Sequence, residues 1–360
     1  MTDKVIPIYK PFIDKIEEDL VNECMKSTWI SSKGAYINKF EEQIKAYTNA
    51  DYCTTTSSGT SALHLAMLAL NIGKDDEVIT TNFTYVASTN AILYVGAKPV
   101  FCNIRSEDFN IDVDSIESKI TPKTKAILYT NVYGFLCDYD RLNEIAKKHG
   151  LFLIEDAAES FGATYKNRMS GTLGDISTFS FFGNKTITTG EGGMVLCKNL
   201  QHYNKIKKLK NQGNSEITYF HDVLGYNYRM TNMQAAIGIG QLDKVDKIIS
   251  LKKSLYNNYR SNLENKVRFI KELEGTKPSY WMTPIFFDSE SKREKVEIKL
   301  KENSIETRPL FTPIDQLPFY DKSSSETANR IYKLGILLPS YPGLSDEDQN
   351  KICKIINSII

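Results

Sequence analysis

The sequence predicts an α/β protein with a largely parallel sheet, followed by a smaller α+β unit. Three observations predict it: apolar runs of strand length recur from Glu77 to Lys198, helical patterns lie between several of them, and the order of elements changes beyond Glu264. The chain has 360 residues, more than the roughly 250–300 at which one core stops growing. A large unit over 1–249 and a smaller one over 250–360 are expected, with part of the N-terminal segment packing on the smaller one.

In order, the predicted strands are Val78–Thr80, Pro99–Cys102, Ala126–Tyr129, Leu151–Ile154, Ile176–Phe181 and Met194–Cys197, with a helical pattern such as Asp138–His149 between neighbours. Gln241–Glu264 is lysine-rich and amphipathic without Gly or Pro, which suits a helix leading out of the large unit. Beyond it Val267–Glu272 and Ser279–Phe287 read as strands and Ser291–Glu302 as a helix. Leu344–Ile359 reads as a terminal helix entered through Ser345 and an acidic first turn.

Composition narrows the function. Lys+Arg is 45 and Asp+Glu is 44, so a net charge of +1 gives no general field for nucleic acid or an anionic membrane. Any anionic ligand must be bound by local groups. The N-terminus has charges on both sides of short apolar runs and lacks a signal-peptide core, so export is not expected, and the six scattered cysteines read as buried free thiols of a reducing cytoplasm. Tyr52–Gly73 and Val78–Ala97 are uncharged, but Ser, Thr and Asn interrupt both, so neither supplies the roughly 20 apolar residues of a membrane span. Cys24, Cys53, Cys102, Cys137, Cys197 and Cys353 are scattered, and His64, His149, His202 and His221 form no ligand spacing. No metal is expected.

Five stretches carry chemistry. FFGNKTITTGEGG sets Lys185 between aromatics and glycines, where a lysine is otherwise a solvated strand end. LFLIEDAAESFGA places Asp156 at the carboxyl end of a strand, either as a helix cap or as a ligand-facing carboxylate. TTTSSGTSALHLAMLAL turns at Ser58, Gly59, Thr60 and Ser61 into an apolar helix whose free N–H groups suit a phosphate or ordinary capping. TTNFTYVASTNA puts Phe83 and Tyr85 after a strand end, as core or as cover for a flat ligand. GYNYRMTNMQAAIG gathers Asn227, Tyr228, Arg229 and Asn232 into a polar patch before a helix.

Together these are the parts pyridoxal phosphate needs: a lysine for a Schiff base, a carboxylate that keeps the pyridine nitrogen protonated, an aromatic cover and a phosphate anchor. Competing motifs fail. GNKT resembles the end of a P-loop, but both required glycines are missing, since Phe179 and Asn184 occupy their places. No GxGxxG follows a strand.

FFGNKTITTGEGGMV, IEDAAESFGATY, SSGTSALHLA and GYNYRMTNMQAAIG resemble segments of the nucleotide-sugar aminotransferases of the DegT/DnrJ group. The likeness runs from STWISSKGAYINKFE near the start to LLPSYPGLSDED near the end. It implies the aspartate-aminotransferase fold (fold type I), with a large PLP-binding domain and a smaller C-terminal one. The nearest likeness is to members of perosamine and viosamine type, which aminate C4 of a nucleotide-linked 4-keto-6-deoxyhexose. Some members carry His in place of the lysine and dehydrate the sugar, so Lys185 implies transamination.

On the family's pattern Lys185 would bind the cofactor and shuttle the proton, Asp156 would pair with the pyridine nitrogen, Glu159 would lie near the ring hydroxyl, and Tyr85 would stack on the ring. Gly59, Thr60 and Ser180 would bind the phosphate, joined by Asn227 of a second subunit, which implies a homodimer with shared active sites. Many relatives have glutamine at the position of Glu159, whereas the perosamine-type members share the Glu. Trp29, Ser31 and Ser32, in the Trp29–Gly34 loop, and Arg308 would meet the nucleotide sugar. Glutamate is implied as the amino donor. Where relatives commonly read His-Leu-Tyr-Gly-His-Pro, this chain has Asn131, Val132, Tyr133, Gly134, Phe135 and Leu136, so sugar preference does not follow from the likeness. A 3-aminotransferase acting on a 3-keto sugar shares every cofactor residue, and a non-catalytic cofactor-binding regulator is the other alternative.

Overall fold

The computed structural model describes residues 5–322 and 325–360. The first part of the chain supplies β1 (Tyr52–Thr56), β2 (Glu77–Thr81), β3 (Lys98–Cys102), β4 (Thr124–Thr130), β5 (Phe152–Asp156), β6 (Thr164–Tyr165), β7 (Arg168–Met169), β8 (Ile176–Ser180) and β9 (Gly193–Cys197). Its helices are α1 (Lys15–Ser27), α2 (Ala35–Thr48), α3 (Gly59–Ala69), α4 (Val86–Tyr94), α5 (Tyr139–His149), α6 (Leu200–Lys210) and α7 (Asn232–Asp243).

Seven strands form one sheet in the order β1-β9-β8-β5-β4-β2-β3. From β3 to β8 all neighbours are parallel, whereas β9 runs antiparallel to both β8 and β1. Successive strand residues enter opposite cores, as the pleat dictates. Val78, Leu128 and Ile154 pack with α3, α4 and α6, while their neighbours Ile79, Ile127 and Leu153 pack with Leu142 and Ala146 of α5. Burial on both faces explains why these strands read as continuous apolar runs. A third cluster joins Phe40 and Ile44 of α2 and Ala235 of α7 to Phe179, Met194 and Leu196.

The rest of the chain forms α8 (Val245–Leu263), β10 (Thr276–Lys277), β11 (Thr283–Phe286), α9 (Glu290–Glu302), β12 (Arg308–Pro309), α10 (Glu326–Leu334), β13 (Gly335–Leu338) and α11 (Asp346–Asn357). Here β11, β13 and β12 make an antiparallel sheet, and β10 pairs with β6 beside β7. The N-terminal segment meets this part: Ile6 N–H donates to Ser304 O, and Glu306 N–H donates to Ile6 O.

Three elements differ from the sequence reading. Gln241–Glu264 is not one helix, because α7 ends at Asp243 and α8 starts at Val245. At the break, Lys244 turns its amine to Asp14 at 2.8 Å and Glu17 at 2.7 Å. Val267–Glu272 forms only the isolated bridge of Arg268 to Phe286. The strand expected over Ser279–Phe287 begins at Thr283, because Ser279 and Trp281 turn toward the large sheet, where Ser279 Oγ donates to Glu159 O and Trp281 Nε1 to Asn184 O. No described helix is long and apolar enough to cross a membrane.

Candidate active site

Three strands end level on one face of the large sheet. Register sets Thr130 of β4, Asp156 of β5 and Thr178 of β8 side by side, at the carboxyl ends where open α/β sheets bind ligands. Asp156 is buried, and each of its oxygens is held: Ala158 N–H donates to Oδ1 at 3.1 Å and Ser88 Oγ donates to Oδ2 at 2.6 Å. Burial pushes its pKa up, opposed by these two hydrogen bonds and by the Lys185 charge. Thr178 Oγ1 is buried with no hydrogen-bond partner among the described residues. An unpaired buried hydroxyl costs about 1–3 kcal/mol, so this face suits an incoming polar group. The preceding carboxylate, Glu155, faces the other side and accepts from Ser170, Ser177, Gly171 N–H and Leu173 N–H. Its role is structural.

Glu159 follows in the turn after β5. Tyr133 N–H donates to its Oε2 at 2.6 Å, and Tyr133 takes a positive φ of 55° to do so. Burial raises the Glu159 pKa to about 7, with Lys185 pulling it back.

Lys185 lies in the loop between β8 and β9. The loop is closed at its base, where Phe181 N–H donates to Gly192 O and Thr189 N–H donates to Phe181 O. Two distant side chains hold its tip: Tyr9 Oη donates to Lys185 O at 2.6 Å, and Trp281 Nε1 donates to Asn184 O at 2.6 Å. The Lys185 Nζ stands 3.9 Å from the Trp281 ring centroid. Burial lowers its pKa, while Glu159 and Asp156 act in the opposite sense. A lysine shifted toward its neutral form attacks a carbonyl more readily.

The start of α3 forms a cradle of backbone N–H groups. Ser58 caps it reciprocally with Ser61, which takes up the Ser61 N–H, and the Ala62 N–H goes to Ser58 O. The N–H groups of Gly59 and Thr60 come first in the helix and have no intrahelical acceptor, a ready anion site. Ser180 closes the cradle. A Cβ added to Gly59 would stand 2.7 Å from the Ser180 Cβ, and one added to Gly193 would stand 2.5 Å from Ser58 O. Glycine is thus required at both positions for the backbones to approach.

Tyr85 sits at the N-terminal cap of α4, one turn before Ser88, and is 58% exposed. Its ring leans on Phe311 at 6.2 Å, and Phe311 stacks on Tyr133 at 5.0 Å. The cradle, the carboxylates, the lysine and Tyr85 therefore share one end of the sheet.

The remaining sequence-predicted residues stand apart within one chain. Asn227 is exposed, and its Oδ1 accepts from Arg229 at 3.0 and 2.7 Å. The next residue lies close to the cradle, since Ser57 N–H donates to Tyr228 O. Asn232 pins the Trp29–Gly34 loop by donating to Trp29 O and Ser31 O and by accepting from Tyr36 N–H. The Trp29 ring stays 59% exposed. Ser31 is exposed and Ser32 half-buried in the same turn. Arg308 is exposed on β12 opposite Leu337. None of Trp29, Ser31, Ser32, Asn227 or Arg308 makes a hydrogen bond, ion pair or ring contact with Lys185.

Sequence reading missed Ser88, Thr178, Tyr9 and Trp281. Ser88 lies in the quoted TYVASTNA stretch, but nothing local marks which of its hydroxyls faces Asp156. Tyr9 and Trp281 reach Lys185 only through tertiary folding.

Comparison with known proteins gives a consistent result. The DegT/DnrJ/EryC1/StrS aminotransferase family model matches residues 11–357. GDP-perosamine synthase of Escherichia coli O157:H7 is 47% identical over 98% of this chain and 98% of the relative. GDP-perosamine synthase of Vibrio cholerae is 45% identical over 98% and 99%. Among solved structures, the Streptococcus pneumoniae protein Spr1654 in its PMP form superposes with a TM-score of 0.94 at 27% identity, covering 99% of this chain and 98% of that one.

Proposed function

The chain belongs to the DegT/DnrJ/EryC1/StrS aminotransferase family, and from that premise we propose that it moves an amino group from glutamate to C4 of a nucleotide-linked 4-keto-6-deoxyhexose, making a 4-amino-4,6-dideoxy sugar of perosamine type. It is a PLP-dependent sugar-nucleotide aminotransferase. The observation that carries the assignment is one sheet end that brings Lys185, Asp156, Glu159 and the Gly59–Thr60 cradle together, in a chain 47% identical to a GDP-perosamine synthase.

Pyridoxal phosphate supplies a carbonyl that accepts the amino group and a ring that acts as an electron sink. The residues present fit it. Gly59, Thr60 and Ser180 would take the phosphate, Asp156 the pyridine nitrogen, Glu159 the neighbourhood of the ring hydroxyl, and Tyr85 a ring face. Lys185 would bind covalently and, once freed, carry the proton at the reacting carbon. Asp156, raised by burial but held by Ser88 and Ala158, suits a partner that shares a proton with a ring nitrogen.

The finer parts of the reading are also proposals. The large cofactor-binding unit runs over 1–249 and the smaller over 250–360. Asn227 completes the phosphate site of a second copy in a homodimer, supported by its exposure at the surface. Trp29, Ser31, Ser32 and Arg308 meet the nucleotide sugar; a guanidinium suits a diphosphate through bidentate contacts. The cytoplasm is the proposed compartment, which six buried free thiols suit.

Borohydride treatment of the yellow holoenzyme, followed by peptide mapping, should place the reduced cofactor on Lys185. Label on another lysine overturns that assignment. The acceptor is read from kcat/KM for GDP-, UDP- and dTDP-linked 4-keto-6-deoxy sugars with glutamate in excess. The relatives' names put the GDP-linked sugar first. Amination of a 3-keto isomer alone would replace the C4 assignment, and no turnover with any acceptor would favour a regulator.

A further inference from the structure

Lys252 lies on α8, outside the residues just described, and is 1% exposed. Taking an ammonium out of water is costly unless it is well partnered. Its amine donates to Trp281 O at 2.9 Å and to Ser340 O at 2.7 Å and lies 5.0 Å from the Tyr9 ring centroid. Burial alone drives its pKa down to about 7, with no charged neighbour contributing. Among the described residues, two main-chain oxygens are therefore all that offset the burial of this amine by hydrogen bonds.

Two of its three neighbours are the side chains that fix the reactive loop. Tyr9 Oη donates to Lys185 O, Trp281 Nε1 donates to Asn184 O, and the Trp281 ring lies beneath the Lys185 amine. The third, Ser340, follows β13 of the smaller sheet. We propose that Lys252 is a positioning residue: by gripping the main chain of Trp281 and facing the ring of Tyr9, it sets the two side chains that place Lys185. The proposal rests on the role given above to Lys185, and it links the smaller sheet to that lysine through a single ammonium.

The test is a double-mutant cycle on the full-length chain without cofactor, so that failure is distinguishable from failure of the transaminase reading. The readout is the pH midpoint of Lys185, from pH-dependent acetylation with acetic anhydride followed by mass spectrometry of the Lys185 peptide. Trp281→Leu removes the ring face and should move the midpoint by about 0.4–1.5 pH units, the size of a cation–π contact between its exposed and desolvated limits. Lys252→Met should move it in the same direction by a comparable amount, and the double variant no further than Trp281→Leu alone. A wild-type midpoint in folded Lys252→Met, or shifts that simply add, overturns the proposal. If Lys252→Met does not fold, Lys252→Gln, whose shorter and uncharged side chain loses the ammonium that bridges the two carbonyls, enters the same cycle with the same expected shift. Collapse of both would assign the ammonium to the fold as a whole and overturn a positioning role.

Discussion

Ser88 donates a 2.6 Å hydrogen bond to the Oδ2 of Asp156, and both side chains are buried. The bond favours the charged carboxylate and so opposes the burial that raises its pKa. Hydrogen bonds to charged groups contribute about 1.5–3 kcal/mol. Ser88→Ala should therefore lower kcat about 10- to 100-fold and loosen cofactor binding, with KM for the sugar changing less. Steady-state kinetics and a cofactor titration check this; wild-type values for both would show that the bond is not needed.

The cradle depends on the near contact of Gly59 and Ser180. Gly59→Ala forces a methyl to within 2.7 Å of the Ser180 Cβ. Overpacking of this kind costs about 1–3 kcal/mol, and here the backbone of the cradle must move. Affinity for pyridoxal phosphate should fall about tenfold or more while the far-ultraviolet circular dichroism stays unchanged. Equal affinities would remove the cradle from the phosphate site.

Glu159 makes stability depend on pH. Its pKa is about 7 in the fold, against 4.5 ordinarily. A group raised in this way contributes stability that is fully present below about pH 4.5 and is lost as the pH rises through about 7. Glu159→Gln keeps an acceptor for the Tyr133 N–H but cannot ionise. Between about pH 4.5 and pH 8, the cofactor-free wild type should lose about 1–3 kcal/mol more stability than the variant. Urea midpoints at the two pH values measure it, and parallel losses would contradict it.

Asn227 lies on a surface segment whose Ile217, Tyr219 and Leu224 are also exposed. If it serves the neighbouring subunit, mixing folded Lys185→Ala with folded Asn227→Ala should restore activity, since some dimers then hold one intact site. The expected recovery approaches about a quarter of wild type, the statistical share for random exchange with one competent site in half of the dimers. No recovery after verified subunit exchange would confine Asn227 to its own chain.

Local pattern sufficed for some of these groups and not for others. Asp156 and the Ser58–Thr60 turn were legible because each sits where an apolar run ends, and register and capping then fix where they point. Lys185 was legible through its glycine-rich loop. Ser88 was not, because only the packing of α4 against β5 singles it out from Thr84 and Thr89. Trp281 and Lys252 gave no signal at all: Trp281 sits in a stretch that reads as strand, and Lys252 in a lysine-rich helical pattern whose other lysines suit solvent. The break at Lys244 was hidden for a related reason, since its carboxylate partners Asp14 and Glu17 lie far away in sequence.

The grip of Tyr9 and Trp281 on the loop of Asn184 and Lys185 also bears on the protein's birth at the ribosome. Tyr9 is synthesised early and its partner Lys185 follows 176 residues later, while the Trp281 indole that holds Asn184 O and the Ser340 carbonyl that holds Lys252 come later still. A nascent chain that has completed only the large sheet has its lysine on a loop without its indole floor. A chain cut short before Trp281 lacks the indole that donates to Asn184 O, and one cut short before Ser340 lacks an acceptor of the Lys252 amine.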